Sequence, residues 1–437
     1  MAITGPIVLR GATRYGDTSG TLQGFSVGGD QNIDGTLFND FLYGDAYTLT
    51  QAARGGNDTI SAGGGNDNVF GDAYNMSGWA RGGSDYLDGG SGSDGMVGDA
   101  MFMSQHTAGG NDVVDGGAGD DSFLYGDAYS MTDYATGGHD LVRGGAGTET
   151  VFGDAYLMSG YTLGGNDTML ENGFDDFGNE VMYGDAYSMT GFAIGGQDLL
   201  AGGAGFDTMY GDAYTLANNA IGGNDNLTGG TGNDTLYGDA LNMLDSSRGG
   251  DDALSGGEGD DVVYGDAANI SQGAHGGDDV LLGDAGNDTL YGDGSDAGGA
   301  SGGNDTLIGD SGNDVLYGDN FPTEAFYGQG HPGAGGADFL IGGTGDDQLW
   351  GNGGNDTFVF APGDGADVIC DFTQAIETGA EQDRIDLSAY GFDSFDDIQI
   401  NSAGVLTGWA VIQLSPTDSI MLAGILPNEL TAFDFIL

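Results

Sequence analysis

The sequence predicts an all-β chain: a right-handed parallel β-solenoid closed towards its C-terminus by a small β cap. Three observations carry that reading. A glycine-led tripeptide returns at nearly constant spacing along most of the 437 residues. Short segments with one apolar residue between polar neighbours stand at fixed offsets from it. Residues 361–437 then lose the repeat and gain longer apolar alternation, as in Val411-Ile412-Gln413-Leu414.

The tripeptide is Gly-Asp-Ala, with its glycine at 44, 71, 98, 126, 153, 184, 211, 238 and 265, continued as Gly-Asp-Gly at 292 and Gly-Asp-Asn at 318. The spacings are 27, 27, 28, 27, 31, 27, 27, 27, 27 and 26 residues. A fixed period of this length marks a stacked repeat architecture. Residues 1–27 carry no copy and are expected to cap the first coil; residues 28–360 are expected to form the solenoid. Each unit has three pieces: G-G-N-D-x-L, as at Gly55–Ile60; G-G-x-G-N-D-x-L-Y, as at Gly229–Tyr237; and G-D-A-Y-x-M with a variable stretch, as at Gly71–Met76. Two departures stand out, a four-residue insertion within 171–180 and one extra residue near Asp121.

Each piece reads as a turn followed by a short strand. Glycine supplies positive φ and close backbone approach. The segment after each aspartate points one apolar side chain inward and its neighbours outward. Three residues cannot form a stable sheet alone, but copies stacked coil on coil can. One expected inward column is Val69, Met96, Val151, Met209, Leu236, Val263, Leu290 and Leu316. A second is Ile60, Leu87, Val114, Leu141, Leu199, Leu227, Leu254 and Leu307. A third uses pairs such as Tyr47/Leu49, Tyr74/Met76 and Tyr187/Met189, read as core packing, with an exposed stripe for contact as the other reading. Either one unit is one three-sided coil, or two units make three two-sided coils. The three-sided coil, which stacks like on like, is preferred for residues 28–340, and a two-sided roll for 342–360.

Charge constrains function. The chain has 68 acidic residues, seven basic ones (all arginine) and a formal net charge of −61. Such a chain repels itself, so it is either disordered or folded around something that neutralises its carboxylates. The periodic apolar residues, with 20 Tyr and 21 Phe, favour folding, and a divalent cation is the expected neutraliser. With no basic patch, nucleic acid is not an expected partner. No apolar run reaches transmembrane length, so no membrane insertion is expected. The first residues do not read as a cleavable signal peptide. The single cysteine, Cys370, permits no intrachain disulfide.

The nonapeptide G-G-x-G-x-D-x-U-x, with U apolar, stands as GGSGSDGMV at 89, GGAGFDTMY at 202, GGTGNDTLY at 229, GGEGDDVVY at 256, GGTGDDQLW at 342 and GNGGNDTFV at 351. Over roughly residues 28–360 the chain resembles the RTX, or haemolysin-type calcium-binding, repeat family. The resemblance implies a parallel β-roll with Ca²⁺ held between turns by the sixth-position aspartate and backbone carbonyls. The residues it would assign at nonapeptide turns are Asp67, Asp94, Asp121, Asp207, Asp234, Asp261, Asp288, Asp314, Asp347 and Asp356. The shorter GGND-like turns would add Asp58, Asp85, Asp112, Asp140, Asp167, Asp198, Asp225, Asp252, Asp279, Asp305 and Asp338. Glu149 and Glu180 stand where aspartate is expected, and their longer side chains set those two turns apart. The chemistry agrees: Ca²⁺ takes six to eight hard oxygen ligands, and Asp beside Gly lets carboxylate and carbonyl converge. No His/Cys cluster suggests zinc or copper. About 20 such ions would cancel about 40 charges, so metal binding and folding should be one event.

Segments 363–372 and 383–388 resemble the closing region of RTX proteins, and the ending Asp434-Phe435-Ile436-Leu437 resembles a type I secretion signal. That resemblance implies a secreted, extracellular or cell-surface location. His106, His139, His275 and His331 lie far apart, and the G-x-S-x-G match around Ser301 is expected by chance in a chain with 92 glycines. With the repeat starting by residue 28, no catalytic domain is expected, and the chain is not read as an enzyme. Three function classes are weighed. The first is a structural protein that self-assembles as a homo-oligomer or polymer. The second is an adhesin whose variable stretches (50–54, 77–81, 104–108, 133–136, 159–163, 190–194) meet polysaccharide or a cell surface. The third, a polysaccharide-modifying enzyme, ranks last.

Overall fold

The computed structural model describes residues 11–171, 178–271, 273–294, 296–297, 302–319, 335–374, 382–403 and 409–437. Apart from three short 3-10 turns near the C-terminus, every regular element there is a β-strand. The described residues contain no helix long and apolar enough to cross a membrane. The chain divides into two compact units, Met1–Gly203 and Ala204–Leu437.

In the first unit each repeat makes one three-sided coil. Val69 pairs with Met96 and Met96 with Leu124, in parallel and in register, on the first face. Leu87 pairs with Val114 on the second face, and Met76 with Met103 on the third. The pairing offset is one repeat, so identical turn chemistry stacks on itself.

The core is three columns, one per face. Leu42, Val69, Met96, Leu124, Val151 and Met182 are fully buried on the first. Ile60, Leu87, Val114, Val142, Met169 and Leu200 fill the second. Leu49, Met76, Met103, Met131, Met158 and Met189 fill the third, each at most 1% exposed. Burying one such side chain contributes about 1.5–3 kcal/mol. Two expected members are corrected. Leu141 is only half-buried and Leu199 is 43% exposed; Val142 and Leu200 take their places. The inward position is the second after each aspartate, and in these two repeats both positions after it are apolar, so only the period-2 alternation separates them. The Tyr-x-Met pairs also split: Met76 is inside, while Tyr47 is 41% exposed and Tyr74 half-buried.

The third-face strands run from Gly-Asp-Ala into the variable stretch, and several end on a left-handed residue: Gln51 (φ 65°), Asp133 (φ 65°), Gly160 (φ 94°) and Gly191 (φ 84°). The insertion expected within 171–180 lies between Thr168–Leu170 and Val181–Tyr183, and residues 172–177 fall outside the described residues.

The second unit begins in the same way, with Met209, Leu236, Val263, Leu290, Leu316, Leu349 and Ile369 buried on one face. Its second face buries Leu227, Leu254, Leu281, Leu307, Leu340, Phe358 and Ile385. The third face is shorter: Ala213–Asn218, Ala240–Met243, Ala267–Ile270 and Asp296–Ala297. Past it the coil has two faces, and Phe339 pairs with Thr357, an offset of 18 residues rather than 27. Towards the C-terminus Gln399–Ala403, Trp409–Gln413 and Ser419–Leu422 form an antiparallel meander, whose last strand pairs in parallel with Ala366–Ile369. Phe435–Ile436 adds a short parallel strand to Arg384–Asp386.

Candidate metal centres

The turn aspartates form two columns in each unit. In the first unit the short-turn column runs Asp58, Asp85, Asp112, Asp140, Asp167 and Asp198. Each backbone N–H donates to Oδ1 of the next aspartate at 2.7 Å. The nonapeptide column runs Asp40, Asp67, Asp94 and Asp121, joined the same way at 2.7–2.8 Å. Asp40 was not among the expected residues, because the turn before it is not a recognisable nonapeptide. In the second unit the short-turn column is Asp225, Asp252, Asp279, Asp305, Asp338, Asp356 and Asp383. The nonapeptide column is Asp207, Asp234, Asp261, Asp288, Asp314, Asp347 and Asp367. Asp356, expected at a nonapeptide turn, stacks on Asp338 because the coil there has shortened to two nonapeptides. Asp367 and Asp383 extend the columns into a region where the motif is no longer legible.

The second carboxylate oxygen decides what these columns can do. In the first unit Oδ2 of Asp58, Asp67, Asp85, Asp94, Asp112, Asp121, Asp140 and Asp167 is buried, with no hydrogen-bond partner among the described residues. The same holds in the second unit for Asp252, Asp261, Asp279, Asp288, Asp305, Asp314, Asp338, Asp347 and Asp356. Carbonyl oxygens stand beside them. A Cβ on Gly71 would lie 1.7 Å from the Gly98 carbonyl oxygen and 2.2 Å from Asp85 Oδ2. At the nonapeptide corner a Cβ on Gly116 would lie 2.1 Å from the Gly144 carbonyl oxygen and 2.4 Å from Asp121 Oδ2. Glycine is required there because a side chain would fill the space these oxygens face. Glu149 and Glu180 are buried in line with the nonapeptide column, and a Cβ on Gly147 would meet Glu149 Oε1 at 2.4 Å.

Few protein cations are available to neutralise this interior, with seven arginines in the chain against 68 acids. Among the described residues the one ion pair is Arg143–Asp115, at 3.9 Å near the surface. Burial therefore raises the acids' pKa, with neighbouring aspartates adding to it: Asp67 and Asp94 to about 6, Asp58 and Asp121 to about 7. An unpaired buried carboxylate is strongly unfavourable. Bare oxygens beside backbone carbonyls suit a hard cation. Among the described residues no three His, Cys, Asp or Glu side chains gather as a metal site. A cation here would therefore draw on backbone oxygens, as calcium does.

A third set of acids was not expected from the sequence. The Gly-Asp-Ala aspartates Asp45, Asp72, Asp99, Asp127, Asp154, Asp185, Asp212, Asp239, Asp266 and Asp293 are completely buried. Each reaches into the short turn beyond its strand: Gly83 N–H donates to Asp72 Oδ2 at 2.9 Å, and Gly138 N–H to Asp127 Oδ2 at 2.9 Å. The signal that could have found them is that Asp never varies across the eleven copies, while the third residue does.

Ring stacks follow the coils. In the first unit Tyr43 stacks on Phe70 at 4.9 Å, and Tyr129 on Tyr156 at 5.2 Å. In the second unit Tyr210, Tyr237, Tyr264, Tyr291 and Tyr317 stack at 4.7–4.9 Å. The variable stretches of the first unit carry a further column: Trp79, His106, Tyr134, Tyr161 and Phe192, with ring centroids 4.1–5.2 Å apart. Trp79 is 64% exposed there. His139 is an ordinary turn variant, its Nδ1 accepting the Asn166 N–H at 2.6 Å. Ser301 and His331 lie outside the described residues.

The family model for the RTX calcium-binding nonapeptide repeat matches residues 25–46, 52–73, 79–100, 106–128, 134–155, 192–213, 220–240, 247–269, 274–296, 300–321 and 332–369. Together these matches cover more than half of the chain. No curated protein matches it.

Proposed function

The chain belongs to the RTX calcium-binding nonapeptide repeat family, and on that premise we propose that it is a secreted structural protein that folds as it takes up Ca²⁺ and then self-associates outside the cell. RTX repeats imply calcium binding and a β-roll. The residues that would hold the ions are the aspartates of the two columns, through Oδ2, with glycine carbonyls such as that of Gly98. Bound calcium supplies positive charge between coils whose carboxylates would otherwise repel. Extracellular placement rests on the family, whose members typically leave the cell by type I secretion.

The observation that carries self-association is the exposed stack Trp79, His106, Tyr134, Tyr161 and Phe192. Within the stack, at His106, Tyr134 and Tyr161, the ring faces are covered by their neighbours, so rim carbons meet solvent. That favours a flat apolar partner over a sugar, which stacks on an open ring face. Exposed apolar stripes of this kind mark contact surfaces. The test is light scattering and electron microscopy of the full chain in millimolar Ca²⁺. Calcium-dependent particles or filaments are expected, and loss of them on Trp79→Ser with Tyr134→Ser assigns the stack. A monodisperse monomer sinks the reading, and a hit on a glycan array would favour the adhesin instead.

A further inference from the structure

The Gly-Asp-Ala aspartates meet the short-turn aspartates at one corner, and the chemistry of that meeting rests on calcium binding at the turns. Asp72 is completely buried and Asp85 is 3% exposed. Asp72 Oδ2 accepts the Gly83 N–H at 2.9 Å. Asp85 Oδ2 has no hydrogen-bond partner among the described residues, and Asp72 Oδ1 faces another carboxylate, since a Cβ on Gly55 would lie 1.6 Å from it and 2.9 Å from Asp45 Oδ2. The two side chains act on each other: after burial, repulsion from Asp72 is the largest influence raising the Asp85 pKa. The glycines around them mark where the oxygens converge. A Cβ on Gly82 would lie 1.5 Å from Asp99 Oδ1 and 2.6 Å from Asp72 Oδ2, just as one on Gly71 would meet Asp85 Oδ2 and the Gly98 carbonyl. This arrangement recurs down the unit: Asp99 feels Asp112 and Asp127, and Asp154 feels Asp167 and Asp185.

The nonapeptide corner is built differently. A Cβ on Gly89 would meet the Gly116 carbonyl oxygen at 2.3 Å and Asp94 Oδ2 at 2.9 Å, and no Gly-Asp-Ala carboxylate is among its near neighbours. One corner therefore offers two buried carboxylate columns and the other one, with the half-buried Asp88 and Asp115 beside it. Calcium affinity rises with the formal charge of the ligand set and the rigidity of the site.

We propose that the chain binds Ca²⁺ in two classes of site: short-turn sites that draw on two carboxylate columns, one from G-G-x-D and one from Gly-Asp-Ala, and nonapeptide sites that draw on one. The short-turn class binds more tightly and releases more slowly. Backbone carbonyls complete both shells, consistent with no three His, Cys, Asp or Glu side chains gathering as a metal site among the described residues.

The test is chelator-induced calcium release from the loaded full chain, followed in a stopped-flow instrument with a fluorescent chelator. Two phases of comparable amplitude are expected. Asp72→Asn, Asp99→Asn and Asp127→Asn together should speed the slow phase by roughly tenfold or more, on the scale of losing a metal-supporting group, and leave the fast phase alone. Asp67→Asn with Asp94→Asn should change only the fast phase. Asparagine keeps an oxygen for the turn N–H, and circular dichroism in saturating calcium reports whether each variant folds. The wild-type measurement stands independently of them: single-phase release overturns the two classes while leaving calcium binding intact. Unchanged release in the folded triple variant also overturns the proposal, reducing Asp72 and its copies to turn braces. A full chain that takes up no Ca²⁺ removes the underlying reading as well.

Discussion

At the turn aspartates each carboxylate divides its work. Oδ1 accepts a backbone N–H from the neighbouring coil, as Asp94 does from Asp67 at 2.7 Å, and Oδ2 is left bare. Asp94→Asn should keep the first role and lose the second, so its melting temperature should fall below the wild type's in millimolar calcium and match it in calcium-free buffer at about pH 4.5, where the acid holds its proton. The glycines are as strict. Gly92 has φ 137°, and a Cβ there would lie 1.6 Å from the Gly65 carbonyl oxygen. Gly92→Ala should cost more than about 2 kcal/mol by chemical denaturation in calcium, whereas Gly363→Ala, with open space around it, should cost less. The aspartate columns were legible because side chain and motif sit in one short turn. Asp72 was not, because its carboxylate serves Gly83, eleven residues on and across a strand.

Among the elements, the period of 27 allowed either one three-sided coil or three two-sided coils per two units, and the stacking of like on like favoured three faces; the paired nonapeptides at 342–360 pointed to the shift to two. What the sequence concealed was orientation where apolar residues adjoin. At Leu199-Leu200 the pattern permits either inward residue; pairing with Met169 fixes Leu200. Leu200→Ala should therefore cost about 2–5 kcal/mol and Leu199→Ala less than about 1, a contrast that denaturant melts of the two variants check. The Tyr-x-Met strands were ambiguous for a related reason. Ala46 and Leu49 are both buried though three residues apart, so strict alternation fails and Tyr47 turns out to stack on Tyr74 at 5.2 Å.

For the whole molecule the dominant quantity is a net charge of −61. Stacking aspartates in a dry interior concentrates that charge, and the acids respond by holding their protons: Asp45 and Asp67 are pushed up to about 6, Asp58 to about 7. A folded-state pKa above the unfolded value of roughly 3.9 contributes stability fully present below that value and lost as pH rises through about 6–7. A calcium-depleted chain should thus show more ordered β-structure by circular dichroism at about pH 4.5 than at pH 8. With millimolar calcium the order should reverse, since the cation replaces the proton. More structure at pH 8 than at pH 4.5 in the depleted chain would contradict the charge argument. Full β-structure at neutral pH without calcium would contradict coupled folding.

The second unit's tyrosine stack carries one more consequence. Tyr210, Tyr237, Tyr264, Tyr291 and Tyr317 sit 4.7–4.9 Å apart with planes within 9° of parallel. Chromophores so close and so aligned share their excited states. Their near-ultraviolet dichroism and emission should therefore depend on how many coils are in register, giving the protein a built-in optical gauge of its own winding.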